Sequence, residues 1–246
     1  MFYIKGESLS MFEEFSGHTE YDEWNWDMLI FAGGELPDLD GEALKRDVGE
    51  KTLVMCADSG LDGCVKYGIS PDYVVGDMDS VDPEVLNCIE GTEGINVERF
   101  AVEKDFTDLE LVMLKAVDLG AVSICVLGAL GGRLDQTMAN ISMACRFAEE
   151  YGLRLKLCGK CEDVYVLTSF ENEVCVKGTR GQTLSLLAAR EKVEGITLTG
   201  FKYPLIDASL EYGQTLGISN KLEEDRVIVS MRSGTLIVVH EKVLGL

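Results

Sequence analysis

Residues 122–157 read VSICVLGALGGRLDQTMANISMACRFAEEYGLRLKL and hold a strand, a helix and a second strand in that order. The run Val122–Leu127 is apolar and rich in branched side chains, as a buried strand requires. Gly128, Gly131 and Gly132 then break the pattern. From Leu134 to Tyr151 the apolar residues fall at helical spacing, with Leu134, Met138, Ile141, Cys145 and Ala148 predicted to face inward. Gly152 supplies the stop. Arg154–Leu157 begins a further strand. A strand, a helix and a strand joined this closely build a mostly parallel sheet with helices on its faces.

The same rhythm extends toward the N-terminus. Short apolar runs occur at Met28–Ala32, Thr52–Cys56, Tyr73–Val75 and Ile95–Phe100, with room for helices between several of them. The clearest helix is Asp108–Leu119, where Leu109, Val112, Met113, Ala116 and Val117 form one stripe. Thr107-Asp108-Leu109-Glu110 opens it as a capping box, whose N-cap is worth about 0.5–2 kcal/mol. After about Val164 the helical period disappears. Alternating runs take over at Val174–Val176, Thr183–Leu187, Ile196–Thr199, Arg226–Met231 and Thr235–His240. Turn residues separate them, including Gly178, Gly181, Gly195, Gly200, Gly213 and Gly234. The predicted fold class is α/β: an N-terminal mostly parallel α/β sandwich domain (27–163) followed by a smaller antiparallel β-sandwich domain (164–246). Residues 1–26 form an N-terminal extension of unassigned role. Trp24 and Trp26 there read as packing anchors.

Composition narrows the function. The chain has 246 residues, 22 Lys and Arg against 43 Asp and Glu, and a formal net charge of −21. Such a surface repels nucleic acid and anionic membrane, so neither is an expected partner. No apolar run is long enough to span a bilayer, for which about 20 residues are needed. The first residues are too acidic for a signal peptide, and a cytoplasmic location is expected. Cys158-Gly159-Lys160-Cys161 is a CxxC, but there is no second such pair, and His18 and His240 are the two histidines. It reads as a strand end and the turn after it rather than a zinc site.

The acidic residues fall at telling positions. Asp58 follows the strand ending at Cys56, and Asp77 and Asp79 follow the strand ending at Val75. Asp105 and Asp108 follow the strand ending near Phe100, and Asp135 follows the strand ending at Leu127. In a parallel sheet these strand ends share one edge, where ligands bind. Two carboxylates about 4 Å apart repel by roughly 4 kcal/mol at an effective dielectric near 20. Six acids in one crevice therefore call for a cation, and oxygen-only ligands select magnesium, calcium or manganese. Lys104 and Arg133 beside them can hold phosphate oxygens. Gly128, Gly131 and Gly132 let backbone amides approach an anion at a helix N-terminus. Each piece alone has a plainer reading. Asp58 can cap the next helix, Asp72 and Asp82 can be turn residues beside Pro71 and Pro83, and Thr107 and Glu110 can be capping residues. The pattern GxxxxGK[ST] is absent, as is a GxGxxG after a strand, so the phosphate chemistry is of neither of those kinds.

At these residues the sequence resembles the thiamine pyrophosphokinase family. The matching stretches are Ala57-Asp58-Ser59-Gly60, Gly76-Asp77-Met78-Asp79-Ser80, Lys104-Asp105-Phe106-Thr107-Asp108-Leu109-Glu110 and the run from Gly128 to Asn140. Gly200-Phe201-Lys202-Tyr203-Pro204-Leu205 and Gly217-Ile218-Ser219-Asn220 match in the second half. The resemblance implies an ATP-dependent, magnesium-requiring diphosphotransferase that makes thiamine diphosphate and AMP. It implies that Asp77, Asp79, Asp105 and Asp108 handle metal and phosphate, with Arg133 and Asp135 acting beside them. Asp58, Ser59, Lys104, Gly131, Gly132 and Gln136 are implied on the ATP side. Tyr203 corresponds to an aromatic that stacks on thiamine, and Ser219 and Asn220 to a pair lining its pocket. The family also implies a homodimer whose sites are shared between one chain's α/β half and its partner's sandwich. Ser59 stands where a Gly is common, and Gln136 where a His is frequent. Two other readings remain: a related pyrophosphokinase acting on a hydroxymethylpterin, and a non-catalytic nucleotide or thiamine sensor. The first has no need of the Tyr203 and Ser219-Asn220 pocket, and the second usually loses the acids.

Overall fold

The computed structural model describes residues 26–48, 51–79, 81–100 and 105–242. Trp24 lies outside these residues. Trp26 is buried, and the guanidinium of Arg154 stacks 4.4 Å from its ring centroid, as a packing anchor would.

The first half alternates strands and helices: β1 (Met28–Phe31), α1 (Gly41–Asp47), β2 (Leu53–Ala57), α2 (Gly60–Tyr67), β3 (Tyr73–Gly76), α3 (Pro83–Glu90), β4 (Asn96–Arg99), α4 (Asp108–Asp118), β5 (Ser123–Leu127), α5 (Leu134–Tyr151) and β6 (Arg154–Cys158). The second half is all strand: β7 (Glu162–Leu167), β8 (Glu173–Lys177), β9 (Thr183–Ala188), β10 (Lys192–Thr199), β11 (Ala208–Glu211), β12 (Asn220–Lys221), β13 (Arg226–Ser230) and β14 (Leu236–Glu241). The runs expected as strands all lie on strands. β7, β11 and β12 are additional.

Two sheets form, a ten-stranded one in the order β12-β9-β14-β7-β6-β5-β1-β2-β3-β4 and a four-stranded one in the order β11-β10-β13-β8. Strands β1 to β6 pair in parallel, and β7, β14, β9 and β12 continue the same sheet in antiparallel pairs. The expected boundary at 163/164 falls inside β7. The two rhythms of the sequence thus reflect two covers over one sheet. Side chains of each strand alternate between faces. On one face Leu29 and Phe31 of β1 pack with Leu44, Leu61, Cys64 and Ile89 of α1, α2 and α3. The four-stranded sheet covers the antiparallel end of that face, where Val174, Val193, Leu198 and Val229 meet Leu186, Leu236 and Val238. On the other face Met28 and Ile30 pack against Val112 and Met113 of α4 and Phe147 and Ala148 of α5. Each such side chain contributes about 1.5–3 kcal/mol on burial.

Three local expectations need revision. Leu134 and Met138 were expected to face the core but are 72% and 61% exposed. α5 has 18 residues and β5 has 5. A helix of that length runs about 27 Å, against roughly 17 Å for the strand. Its first turns therefore overhang the sheet edge, and Ala144, Cys145, Phe147 and Ala148 carry the packing. Asp72 is more than a turn residue, since its Oδ2 accepts from the Val54 N–H at 2.7 Å and its carbonyl from the Asn96 N–H at 2.8 Å. Asp82 caps α3, accepting from the Glu84 N–H at 2.8 Å, with Pro83 in the first turn. The CxxC falls as expected, Cys158 ending β6 with its Sγ 3.6 Å from that of Cys125 and Cys161 exposed in the turn.

Candidate active site

Chain order and strand order part company between β1 and β5. From β1 the parallel strands run one way to β2, β3 and β4, and the other way to β5 and β6. At such a reversal, loops leave neighbouring strands in opposite directions and open a crevice at their carboxyl ends. A cleft of about 330 Å³ lies there. Gly33 and Gly34 line it after β1, Asp58 and Ser59 after β2, Thr107 and Asp108 at the start of α4, and Gly128 and Gly131 after β5. Gln136 and Asn140 come from the overhanging turns of α5.

The walls are glycine because backbones approach closely. Gly34 N–H donates to the Gly128 carbonyl at 2.9 Å. Gly128 sits at φ 74°, and a Cβ there would lie 2.6 Å from the Ala32 carbonyl oxygen. No other residue fits both restraints.

Three carboxylates meet at the cleft's edge. Oxygens of Asp58, Asp77 and Asp79 all lie within 4.8 Å of one another. Asp58 is buried and held at φ 45°, its N–H donating to the Val75 carbonyl at 3.0 Å. A left-handed backbone is uncommon for a residue other than glycine, and such strain concentrates at functional sites. Met78, between the other two acids, is also left-handed at φ 64°. That kink lets Asp79 N–H donate to Asp77 Oδ1 at 3.2 Å and puts both side chains on one side. Asp108 stands close by, because a Cβ on Gly76 would meet Asp108 Oδ1 at 3.1 Å and Asp58 Cβ at 3.0 Å. Thr107 caps α4, its Oγ1 accepting from the Glu110 N–H at 3.2 Å, and so fixes where Asp108 points. Three clustered oxygen donors with no nitrogen or sulfur suit a hard divalent cation.

The tight cluster therefore differs from the set expected to bind metal. Asp58 takes part in it, while Asp105 is exposed on the approach to α4 and is not among the three. Lys104 lies outside the described residues. Arg133 and Asp135 are exposed and bound to each other, with Nε to Oδ1 at 3.1 Å and Nη2 to Oδ2 at 2.6 Å. The guanidinium holds the Asp135 carboxyl below the usual carboxylate range. Gly131 and Gly132 make the turn into α5 with φ of 84° and 67°. Gly33, Gly34 and Asn140 were not singled out from the sequence for any role. The signal was present, since Gly33-Gly34 directly follow the first strand at the same edge as the acids.

The residues expected to hold thiamine sit elsewhere. Asn220, the buried first residue of β12, spends its amide on the main chain. Its Oδ1 accepts from Tyr203 N–H at 3.1 Å and Lys221 N–H at 2.8 Å, and its Nδ2 donates to the Tyr203 carbonyl at 2.7 Å. Asn220 thus positions Tyr203, whose ring is 59% exposed. Ser219 is left-handed at φ 59°, its N–H donating to Ser185 Oγ at 3.0 Å.

Residues 44–157 match the family described as thiamin pyrophosphokinase, catalytic domain, and residues 171–236 match thiamin pyrophosphokinase, vitamin B1 binding domain. The thiamine pyrophosphokinase of Bacillus subtilis is 31% identical over 214 residues, covering 85% of this chain and 96% of that protein. Thiamine pyrophosphokinase 1 of Oryza sativa is 28% identical over 177 residues, 69% of this chain and 66% of that one. The crystal structure of the Bacillus subtilis enzyme superposes with a TM-score of 0.74 at 28% identity, covering 88% of this chain and 99% of that one. That of thiamin pyrophosphokinase from Geobacillus thermodenitrificans gives 0.71 at 28% identity over 88% and 97%. A β1/β5 cleft walled with glycine and edged with carboxylates, on a chain alike in sequence and fold from end to end of these proteins, belongs to the thiamine pyrophosphokinase family.

Proposed function

We propose that the protein transfers the diphosphate of ATP to the hydroxyl of thiamine, giving thiamine diphosphate and AMP. The observation that carries this reading is the Asp58, Asp77 and Asp79 cluster beside the glycine-walled cleft. ATP lies in the cleft with its phosphates toward the acids. Asp58, Asp77 and Asp79 hold magnesium, with Asp108 beside them. The ion, when bound, neutralises charge on the phosphate oxygens. The hydroxyl oxygen of thiamine bonds to the β-phosphorus, the bond from that phosphorus to the α,β-bridging oxygen breaks, and AMP leaves. An aspartate, Asp77 or Asp105, accepts the hydroxyl proton. The chain's task is mainly positioning, as in other transfers of this kind. The exposed Tyr203 ring offers its face to the thiazolium cation.

The working unit in this reading is a homodimer in the cytoplasm. β12, which carries Asn220, and β2, which precedes Asp58, are seven strand spacings apart in the sheet. At about 4.8 Å each this is roughly 34 Å along the sheet, farther than one thiamine molecule bridges. A partner's Tyr203 region brings the two groups together. Exposed apolar side chains in that region, Ile206, Tyr212, Leu216 and Ile218, supply the surface for contact. The test is the purified chain with thiamine, ATP and magnesium, which should yield thiamine diphosphate and AMP in equal amounts. ADP with thiamine monophosphate, or turnover of a hydroxymethylpterin in place of thiamine, would overturn the assignment.

A further inference from the structure

A second cavity opens where the cover of the ten-stranded sheet changes from helices to the four-stranded sheet. Its floor is polar in the middle of an apolar face. The strand register sets Lys156 beside Tyr165, and Cys158 beside Asp163, with His240 next to Asp163 on the other side. These residues share the face that otherwise carries Leu236, Val238 and Leu167. The cavity measures about 220 Å³ and is lined also by Lys177 of β8, by Gln182 and by Lys242. At roughly 30 Å³ per water this holds about seven waters, or one small anion with a few.

Its charges do not balance. Lys156 Nζ lies 3.1 Å from Asp163 Oδ2, and Lys242 Nζ lies 2.8 Å from Asp163 Oδ1. Lys156 and Asp163 are both buried. One carboxylate thus serves two ammonium groups. The neighbours add no negative charge, because burial pushes the Tyr165 phenol and the Cys175 thiol up. His240 is neutral, pushed down to about 4 mainly by burial. Its Nε2 stands 3.0 Å from Gln182 Oε1, which also accepts from the Thr179 N–H at 2.7 Å. That oxygen cannot donate, so His240 Nε2 carries the proton. Of the lining residues three are lysines and one is an aspartate, an excess of two positive charges in a chain of net charge −21. A purely structural ion pair needs one lysine per carboxylate, and each extra charge in low dielectric carries a penalty of several kcal/mol.

We propose that this cavity is a binding site for a small phosphate-bearing anion, held by Lys156, Lys177 and Lys242 and separate from the acidic cleft. A phosphate dianion matches the excess charge, and ammonium groups suit it as point charges. The site lies between the two covers of the sheet, a common position for a ligand pocket.

The experiment is calorimetric titration of the full chain with inorganic phosphate and, separately, inorganic pyrophosphate, at low ionic strength with EDTA. Without divalent metal the cleft acids repel both probes, so binding reports the basic cavity. One saturable site per chain is expected for at least one probe. Lys177→Gln and Lys242→Gln should each weaken it about tenfold or more, the size of a lost charge-assisted contact. The double variant Asp77→Asn, Asp79→Asn should leave it unchanged. Lys156→Met tests the buried contact where its melting profile matches the parent, and the other two lysine variants decide the matter where it does not. No saturable binding of either probe, or binding that survives both Lys177→Gln and Lys242→Gln, would overturn the proposal.

Discussion

Asp79 and Asp82 are three residues apart and have different tasks. Asp79 belongs to the carboxylate cluster and Asp82 caps a helix. Asp79→Asn should cut turnover at least about a hundredfold, on the order of 3 kcal/mol of lost electrostatic stabilisation. Its melting temperature without magnesium should hold or rise, because repulsion among the three acids is relieved. Asp58→Asn should behave alike, and turnover within threefold or so of the parent in both variants would remove the cluster from the mechanism. His240 makes a pH-dependent contribution. It is neutral in the folded chain down to about 4, against an ordinary value of 6.5, with burial the main cause. Asp163 opposes that shift, while Lys156 and Lys242 reinforce it. Between those values the unfolded chain binds the extra proton. The contribution is complete above about 6.5 and is lost as pH falls through 4, amounting to about 3 kcal/mol. Melting curves from pH 7 to 4.5 should fall less steeply for His240→Gln than for the parent.

At the scale of elements, helix caps separate stability from activity. Asp82→Ala removes the side-chain acceptor at the start of α3 and should cost about 1 kcal/mol of stability with turnover intact. Thr107→Ala removes the same kind of bond from α4 at a similar cost of about 1 kcal/mol. Thr107 also lines the cleft and precedes Asp108, so its turnover should fall as well. Chemical denaturation and steady-state rates on the two variants test the contrast, and equal losses of activity would contradict it. Both caps could be read from the residues alone, because a cap is a contact between chain neighbours. The exposure of Leu134 and Met138 could not. Periodicity shows that a stripe exists, but not how far along the helix the sheet continues beneath it. The overhang places Gln136 and Asn140 over the cleft, so the same mismatch in length that breaks the packing pattern builds a wall of the site.

At the scale of the molecule, strand order separates the acids from Tyr203 within one chain. If a partner completes each site, two defective chains should rescue one another. Asp79→Asn spoils the acidic half and Tyr203→Ala the thiamine face. A mixed dimer then holds one site with both defects and one with neither. Mixing the variants under conditions that allow chain exchange should restore activity toward one quarter of the parent's, since about half the dimers are mixed and each has one sound site. No recovery after demonstrated exchange would mean that each site is built within one chain. Tyr203→Ala suits this test better than a change at Asn220, whose amide is engaged with the backbone.

What the residues determined by themselves was local. Alternating apolar runs, helical stripes, capping side chains and glycine stops depend on neighbours within a few positions, and they placed the strands, α4, α5 and the acids at one sheet edge. Tertiary structure alone decided which acids meet. Asp58 joins Asp77 and Asp79 because β2 and β3 are adjacent and both following residues turn left-handed, while Asp105 stays outside the cluster. It also decided that one sheet runs through both halves, that the cleft opens between β1 and β5, and that Lys156 and Lys242 converge on Asp163. Each of these depends on pairings between residues tens of positions apart. Such pairings follow from how the whole chain buries its apolar surface, and no short window of sequence contains them.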